Sequence, residues 1–356
     1  MMIISVEAAG RDYDVVVGPL EHSRSRLREL ASGRTLPVVT DERIWSLHGE
    51  RLSGLIPVEP IFVAQGEAAK SWEGLEQLIA RFTTLNLDRS SPVVAFGGGS
   101  IGDLTGLAAG LFKRGCPVIH IPTTLLAQAD SAVGGKTAID AGGQKNLIGM
   151  FHQPALVLAD VGFLDTLEER QLRAGYAEVV KYALIGHGVI FDWLAEREAA
   201  ILAGNRAMRE EAVRQSVAAK ARIVEADPED RLGIRALLNL GHTFAHAIES
   251  AAGLGTVLHG EAVSIGMALA FDFSVNLGLC PSGDAARVRR HLQQAGLPTT
   301  LAETGADRDA LLPLMGADKK TEAGQLRLVL TRGIGEAFLA RDVDPQKLAK
   351  FLAEAA

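Results

Sequence analysis

Short runs of β-branched and aliphatic residues recur through the first 165 positions, at 2–7, 12–17, 36–40, 60–64, 92–96, 117–121 and 155–159. Turn residues, or helical patterns such as 73–87 and 103–112, separate them, as expected where strands and helices alternate. This predicts an α/β domain on a mostly parallel sheet, opened by a hairpin. Beyond about residue 165 the apolar period lengthens to that of helices. The segments 167–185, 188–203, 206–226, 235–251, 258–276 and 282–295 all carry alanine-rich, charged faces. Near the end, QLRLVL and EAFLA flank TRGIG, which predicts a small hairpin before a last helix at about 345–355. Two domains are therefore expected, an α/β domain over 1–165 and an essentially all-α domain over 166–356. No internal repeat or low-complexity linker separates them, so they are expected to abut and share a cleft, a common place for ligands.

Composition narrows the function classes. The 356 residues are 47% apolar and 22% charged, which suits a soluble globular chain with two packed cores. A net charge of −7 argues against a nucleic-acid backbone as partner, since such binding shows a basic field over a whole domain. The longest uncharged apolar stretch, 115–129, contains two prolines and is shorter than the roughly 20 residues of a spanning helix. The N-terminal MMIISVEAAGRDYDVVV has no basic segment before its apolar part and reads as a strand, not an export signal. With only Cys116 and Cys280, a disulfide framework is not expected and the cytoplasm is the default compartment.

Three groups of residues carry candidate chemistry. In VVAFGGGSIGDLTGLAAGLF, Gly97, Gly98, Gly99 and Gly102 lie between a buried strand and a small-residue helix. Backbone N–H groups can there approach an anion at a helix N-terminus. The acidic residue expected about 20 positions later is missing, but Asp41 and Glu42 follow an earlier strand and would reach a ribose if that strand lies alongside. Close strand–helix packing is the competing explanation for the glycines. In the second half, LLNLGHTFAHAIES and LHGEAVSIGM hold His242, His246 and His259, and Glu178 lies in the apolar helical stretch RAGYAEVVKYALI with Lys181 one turn later. One histidine from each of two antiparallel helices, with Glu178, would leave open positions on a catalytic metal, zinc first. His242 with His246 is the alternative pair, although the glutamate of the protease motif is absent. Finally, Arg114, Lys136, Lys145 and Asn146 fall in a glycine-rich stretch read as a long loop. With Asp130 they suggest a small anionic polyol substrate.

GGGSIGDLTG, IPTTLLAQADSAVGGKTAID, KNLIGMFHQP, GYAEVVKYALI, LLNLGHTFAHAIE, LHGEAVSIGM and MGADKKTEAG occur in this order, and together they resemble the 3-dehydroquinate synthase family over about residues 36–340. The fold is similar to that of the glycerol dehydrogenase and iron-dependent alcohol dehydrogenase group. The resemblance implies NAD and a divalent metal, zinc or cobalt, with Glu178, His242 and His259 as metal ligands. It further implies conversion of 3-deoxy-D-arabino-heptulosonate 7-phosphate to 3-dehydroquinate and phosphate. The steps are transient oxidation by NAD, elimination, re-reduction and an intramolecular aldol closure. Asp130, Lys136, Asn146, Lys181, Lys220, Arg235, Asn239, His246 and Lys320 match substrate-pocket positions, His246 as proton shuttle, and Arg114 matches a phosphate contact from the second subunit of a homodimer. For the cofactor, Asp41 matches a ribose contact and Glu67 and Lys70 a nucleotide-binding turn. Gly99, Ser100, Ile101, Gly102 and Asp103 match a pyrophosphate cradle, with Thr123, Thr124, Lys136, Lys145 and Thr166 completing the site. The segment after Lys220 is one residue longer than is usual, so either Glu229 or Asp230 would fill an acidic pocket position. Related cyclases of sedoheptulose 7-phosphate differ at the positions of Leu238, Asn239 and His246, which here look like the dehydroquinate type. An NAD-dependent polyol dehydrogenase is the other alternative.

Overall fold

Alternation of buried side chains decides how the first sheet is covered. In the computed structural model, which describes residues 1–8, 10–186, 188–253, 255–317 and 326–354, the chain divides into two units. Unit 1 is Met1–Glu168 with Arg206–Glu229, and unit 2 is Glu169–Asn205 with Asp230–Ala356.

Unit 1 contains β1 (Met2–Val6), β2 (Tyr13–Val17), α1 (Arg24–Ala31), β3 (Leu36–Thr40), α2 (Glu42–Ser53), β4 (Val58–Phe62), α3 (Trp72–Thr84), β5 (Val93–Gly97), α4 (Gly99–Leu111) and β6 (Val118–Pro122), then β7 (Lys136–Ala141), β8 (Gln144–Phe151) and β9 (Leu156–Ala159). Seven strands form one sheet in the order β1-β2-β9-β6-β5-β3-β4; β1 and β2 pair antiparallel and the others parallel. Val39, Val93 and Ala95 enter one core with Leu78, Phe82 and Leu104, while Val38, Val94 and Phe96 enter another with Leu27, Leu52 and Ile119. Burial on both faces explains why these strands read as unbroken apolar runs. The order reverses between β3 and β5, and such a switch point leaves a crevice beyond the strand ends.

Unit 2 is largely helical, with α5 (Glu169–Gly186), α6 (Gly188–Leu202), α8 (His242–Ala252), α9 (His259–Asn276), α10 (Ser282–Gln294), α11 (Arg308–Ala317) and α12 (Pro345–Glu354), plus the hairpin β10 (Leu328–Thr331) and β11 (Ala337–Ala340). The helix between α6 and α8, α7 (Arg206–Ala226), belongs to unit 1. Among the described residues no helix is long and apolar enough to cross a membrane.

Three expectations are corrected. A single boundary between 165 and 166 puts residues 206–229 in the helical half, whereas α7 packs on β1 and the turn at Ala127–Ser131. The stretch read as a long loop is the antiparallel hairpin β7–β8, turned by Gly142 and Gly143 with φ of +57° and +74°. The helix expected at 235–251 is a 3-10 segment, Ile234–Asn239, followed by α8, because Gly241 between them takes φ of +79°.

Candidate active site

The glycine-rich turn closes the end of β5. Gly98 caps α4, leaving the first N–H groups of that helix without intrahelical acceptors. The Thr123 N–H donates to the Gly97 carbonyl at 2.9 Å and ties the end of β6 to this turn, while the Thr124 hydroxyl accepts the Ala127 N–H at 3.2 Å in the segment that follows. β3 lies beside β5, the condition set for Asp41. The buried Asp41 carboxylate accepts the Ile44 N–H at 2.8 Å and so also caps α2. Packing has its share in the glycines: a Cβ on Gly106 would come within 2.4 Å of Thr137, so α4 and β7 could not approach.

Beside the turn, residues far apart in sequence converge on Lys70. Lys70 as a residue is 4% exposed. Its ammonium lies 3.0 Å from Asp103, 3.8 Å from Glu67 and 3.8 Å from Asp140, and donates to the Asn146 side-chain oxygen. Ser100 donates to Glu67 at 2.7 Å. Burial alone would depress the lysine's pKa, but Asp103 and Glu67 outweigh it and hold it above its usual value. Burial pushes the Asp103 carboxyl up to about 6, against the pull of Lys70. Thr166 lies elsewhere in unit 1, its hydroxyl 2.7 Å from His48 Nε2. Lys220 on α7 donates to the Asp130 backbone oxygen at 2.8 Å and to its carboxylate. Lys136 is exposed, 5.9 Å from the Phe151 ring centre, and Lys145, second in β8, is half-buried. Arg114 is exposed on a turn where it and Lys113 both have positive φ. Glu229 and Asp230 are both exposed; Asp230 has a positive φ, +55°, and Glu229 does not.

In unit 2, Glu178 on α5 and the first residues of α8 and α9, His242 and His259, offer one donor atom each within 4.8 Å of one another. Glu178 Oε1 is 3.6 Å from His242 Nε2 and 3.4 Å from His259 Nε2, and Glu178 Oε2 is 2.5 Å from Lys181 Nζ. Small residues make the convergence possible. A Cβ on Gly260 would sit 1.9 Å from the Ala174 carbonyl oxygen, and one on Gly266 2.1 Å from that of Gly241, so α9 lies directly on α5 and on the start of α8. Arg170 holds the entry to α9 by a two-pronged bond to Glu261 at 2.6 and 2.7 Å, while Glu261 accepts the Leu258 N–H at 2.9 Å.

The far side of each imidazole is engaged. His242 Nδ1 lies 3.2 Å from the Leu240 carbonyl, and His259 Nδ1 lies 3.5 Å from the buried carboxylate of Glu249. Such partners fix which nitrogen carries the proton and turn Nε2 inward. Burial opposes charge on His259, yet the Glu178 and Glu249 carboxylates push its pKa to about 10, so the local field favours a cation there. Burial and Lys181 drive His242 well below its ordinary value and keep it neutral, as a ligand must be. Two imidazole nitrogens and one carboxylate suit a divalent ion with open positions.

His246, one turn along α8, stacks on His259 at 6.2 Å between ring centres and is outside the converging triad. Arg235 is buried and Asn239 half-buried in the 3-10 segment before α8, where the Asn239 amide donates to the Ala236 carbonyl. Lys320 lies outside the described residues. Sequence reasoning missed Glu249 and Asp140. Glu249 stands seven residues after His242 on the same helical face, a spacing that could have pointed to it.

Comparison with known proteins adds identity to this geometry. Family models described as 3-dehydroquinate synthase N-terminal and C-terminal match residues 60–174 and 175–321. A 3-dehydroquinate synthase of Caulobacter vibrioides (strain NA1000 / CB15N) is 50% identical over 363 aligned positions, covering 99% of this chain and 98% of that protein. Among solved structures, a 2-epi-5-epi-valiolone synthase from Streptomyces hygroscopicus subsp. jinggangensis 5008 with NAD+ and Zn2+ bound is 30% identical, with a TM-score of 0.88 and 99% of each chain covered. A 2-deoxy-scyllo-inosose synthase complexed with carbaglucose-6-phosphate, NAD+ and Co2+ is 25% identical, with a TM-score of 0.86 and both chains covered in full.

Proposed function

Because the chain belongs to the 3-dehydroquinate synthase family, we propose that it converts 3-deoxy-D-arabino-heptulosonate 7-phosphate to 3-dehydroquinate and phosphate, in the shikimate route to aromatic amino acids. The observation that carries the reading is the convergence of Glu178, His242 and His259 donor atoms within 4.8 Å. When bound, NAD+ accepts and returns one hydride and a divalent ion, zinc or cobalt, acidifies the hydroxyl that is oxidised.

The chain's own residues do the rest. Glu178, His242 and His259 hold the ion. Glu67, Lys70, Thr123, Thr124, Lys145, Thr166 and the turn from Gly99 to Asp103 receive the dinucleotide, with Asp41 toward the ribose. The N-terminal N–H groups of α4 favour the pyrophosphate because they carry partial positive charge. Lys136, Asn146, Lys181, Lys220, Arg235, Asn239 and Lys320 bind the anionic sugar acid, and Asp130 orients its hydroxyls. His246 moves a proton to and from the substrate phosphate as that group departs.

The assembly in this reading is a cytoplasmic homodimer in which Arg114, exposed on its turn, contacts phosphate bound by the other subunit. The free, buried thiols of Cys116 and Cys280 accord with a reducing compartment.

Phosphate release from 3-deoxy-D-arabino-heptulosonate 7-phosphate, followed with NADH absorbance in the same cuvette, tests the activity. The reading expects release that requires NAD+ and accumulates no NADH. Release only from sedoheptulose 7-phosphate, or steady NADH from a simple polyol, would overturn it.

A further inference from the structure

The hairpin β7–β8 carries Lys136, Lys145 and Asn146, and its tip is not held by strand pairing alone. Ile139 pairs with Ile148 and Ala141 with Gln144, so Asp140 stands alone opposite residues 145–147. Such a bulge takes an amide out of the ladder and bends the strand. Asn146 has φ of +53°, a left-handed conformation that costs free energy in a residue other than glycine and persists only where its surroundings hold it.

Asp140 supplies that hold. Its Oδ1 accepts the Asn146 N–H at 2.8 Å, and its own N–H donates to the Lys70 carbonyl at 2.9 Å. The Lys70 ammonium returns to the hairpin by donating to the Asn146 side chain, and it also pairs with Asp103 on α4. Lys70, Asp140 and Asn146 thus form a closed ring joining the hairpin tip to the turn that carries Glu67. Neither the family's metal triad nor its substrate groups require Asp140.

We propose that Asp140 is a positioning residue that locks the hairpin tip to the Glu67–Lys70 turn, so that the groups receiving the dinucleotide and those receiving the sugar phosphate are set together and their binding is coupled. The identities of the two ligands rest on the functional reading above. A residue that only stabilised the hairpin would leave that coupling intact.

The test uses the metal-loaded wild type, D140A and D140N, with NAD+ affinity from calorimetry and steady-state constants from phosphate release. D140A weakens NAD+ binding about tenfold and raises KM for the sugar phosphate by a similar factor, the scale of one lost hydrogen bond, while kcat changes less than about twofold. D140N, whose amide oxygen still accepts the Asn146 N–H, restores both. Hydrogen exchange over residues 136–151 gives a readout that does not depend on turnover or on D140A folding: NAD+ slows it in the wild type. A wild type that binds no NAD+ overturns the functional reading and this inference with it. A wild type that binds NAD+ without protecting the hairpin, a D140A protein with wild-type affinities, or equal losses in D140A and D140N overturns the inference alone.

Discussion

Lys70 and Lys181 are both buried ammonium groups beside carboxylates, and they keep different company. Around Lys70, Glu67, Asp103, Asp140 and Asn146 come from a turn, a helix and a hairpin spread over 80 residues. Lys181 pairs with Glu178 one turn away on the same helix, and Glu178 also faces two imidazole nitrogens. The first cluster is a network in which one ammonium is shared among three carboxylates and an amide. In the second, the outer nitrogens of His242 and His259 are already engaged, so the inner ones are aimed at one point, as metal binding requires. A preorganised cluster should fail all at once when one donor is lost, whereas a network should weaken in steps.

The largest effect should come from the helix-borne cluster. His259→Ala is expected to abolish phosphate release, on the order of a thousandfold or more, and to lose bound metal with the fold retained. Circular dichroism and metal analysis of one preparation check this, and full turnover without metal would remove His259 from the site. Next, Gly260→Ala forces a methyl against the Ala174 backbone and should cost about 3 kcal/mol of stability, measured by urea unfolding. Unchanged stability would mean that α5 and α9 can separate freely.

Removing the carboxylate behind His259 is a smaller perturbation. Glu249→Leu should weaken metal binding about 10- to 100-fold by chelator competition, the usual cost of losing a partner behind a ligand. The loop-borne network is tested by pH. Burial raises Asp103 from 3.8 to about 6, so the native state holds this proton more tightly than the unfolded chain does. The stability this contributes is full below about pH 4 and is lost as pH rises through about 6. The stability difference between wild type and Asp103→Asn should therefore fall over that interval, and a flat or rising difference would contradict the assignment. The smallest change is Gly283→Ala, at an open position in α10, which should stabilise by about 0.5 kcal/mol.

Legibility in the sequence followed the same division. The buried strands were readable because both faces are covered and their residues form unbroken apolar runs, as in Val93–Gly97. Glu178 was readable as a charge in an apolar helix and His259 from its place at the start of one, whereas His242 reads as lying inside a helix over 235–251 and heads α8 only because Gly241 breaks that segment. The β7–β8 hairpin was hidden because Lys136, Asp140, Lys145 and Gly149 break its alternation, although Gly142–Gly143 is itself a hairpin signal. Helical periodicity could not tell that α7 packs with unit 1, since it reports which face is apolar and not what covers it. The Lys70–Asn146 bond spans 76 residues and has no local trace in the chain.

Anomalous diffraction from crystals grown with NAD+ and Zn2+ tests the central claim most directly. The account predicts one zinc peak at about 2.0–2.2 Å from a Glu178 oxygen, His242 Nε2 and His259 Nε2. A peak held by His242 and His246, or no peak at this cluster in an enzyme that turns over, would contradict it.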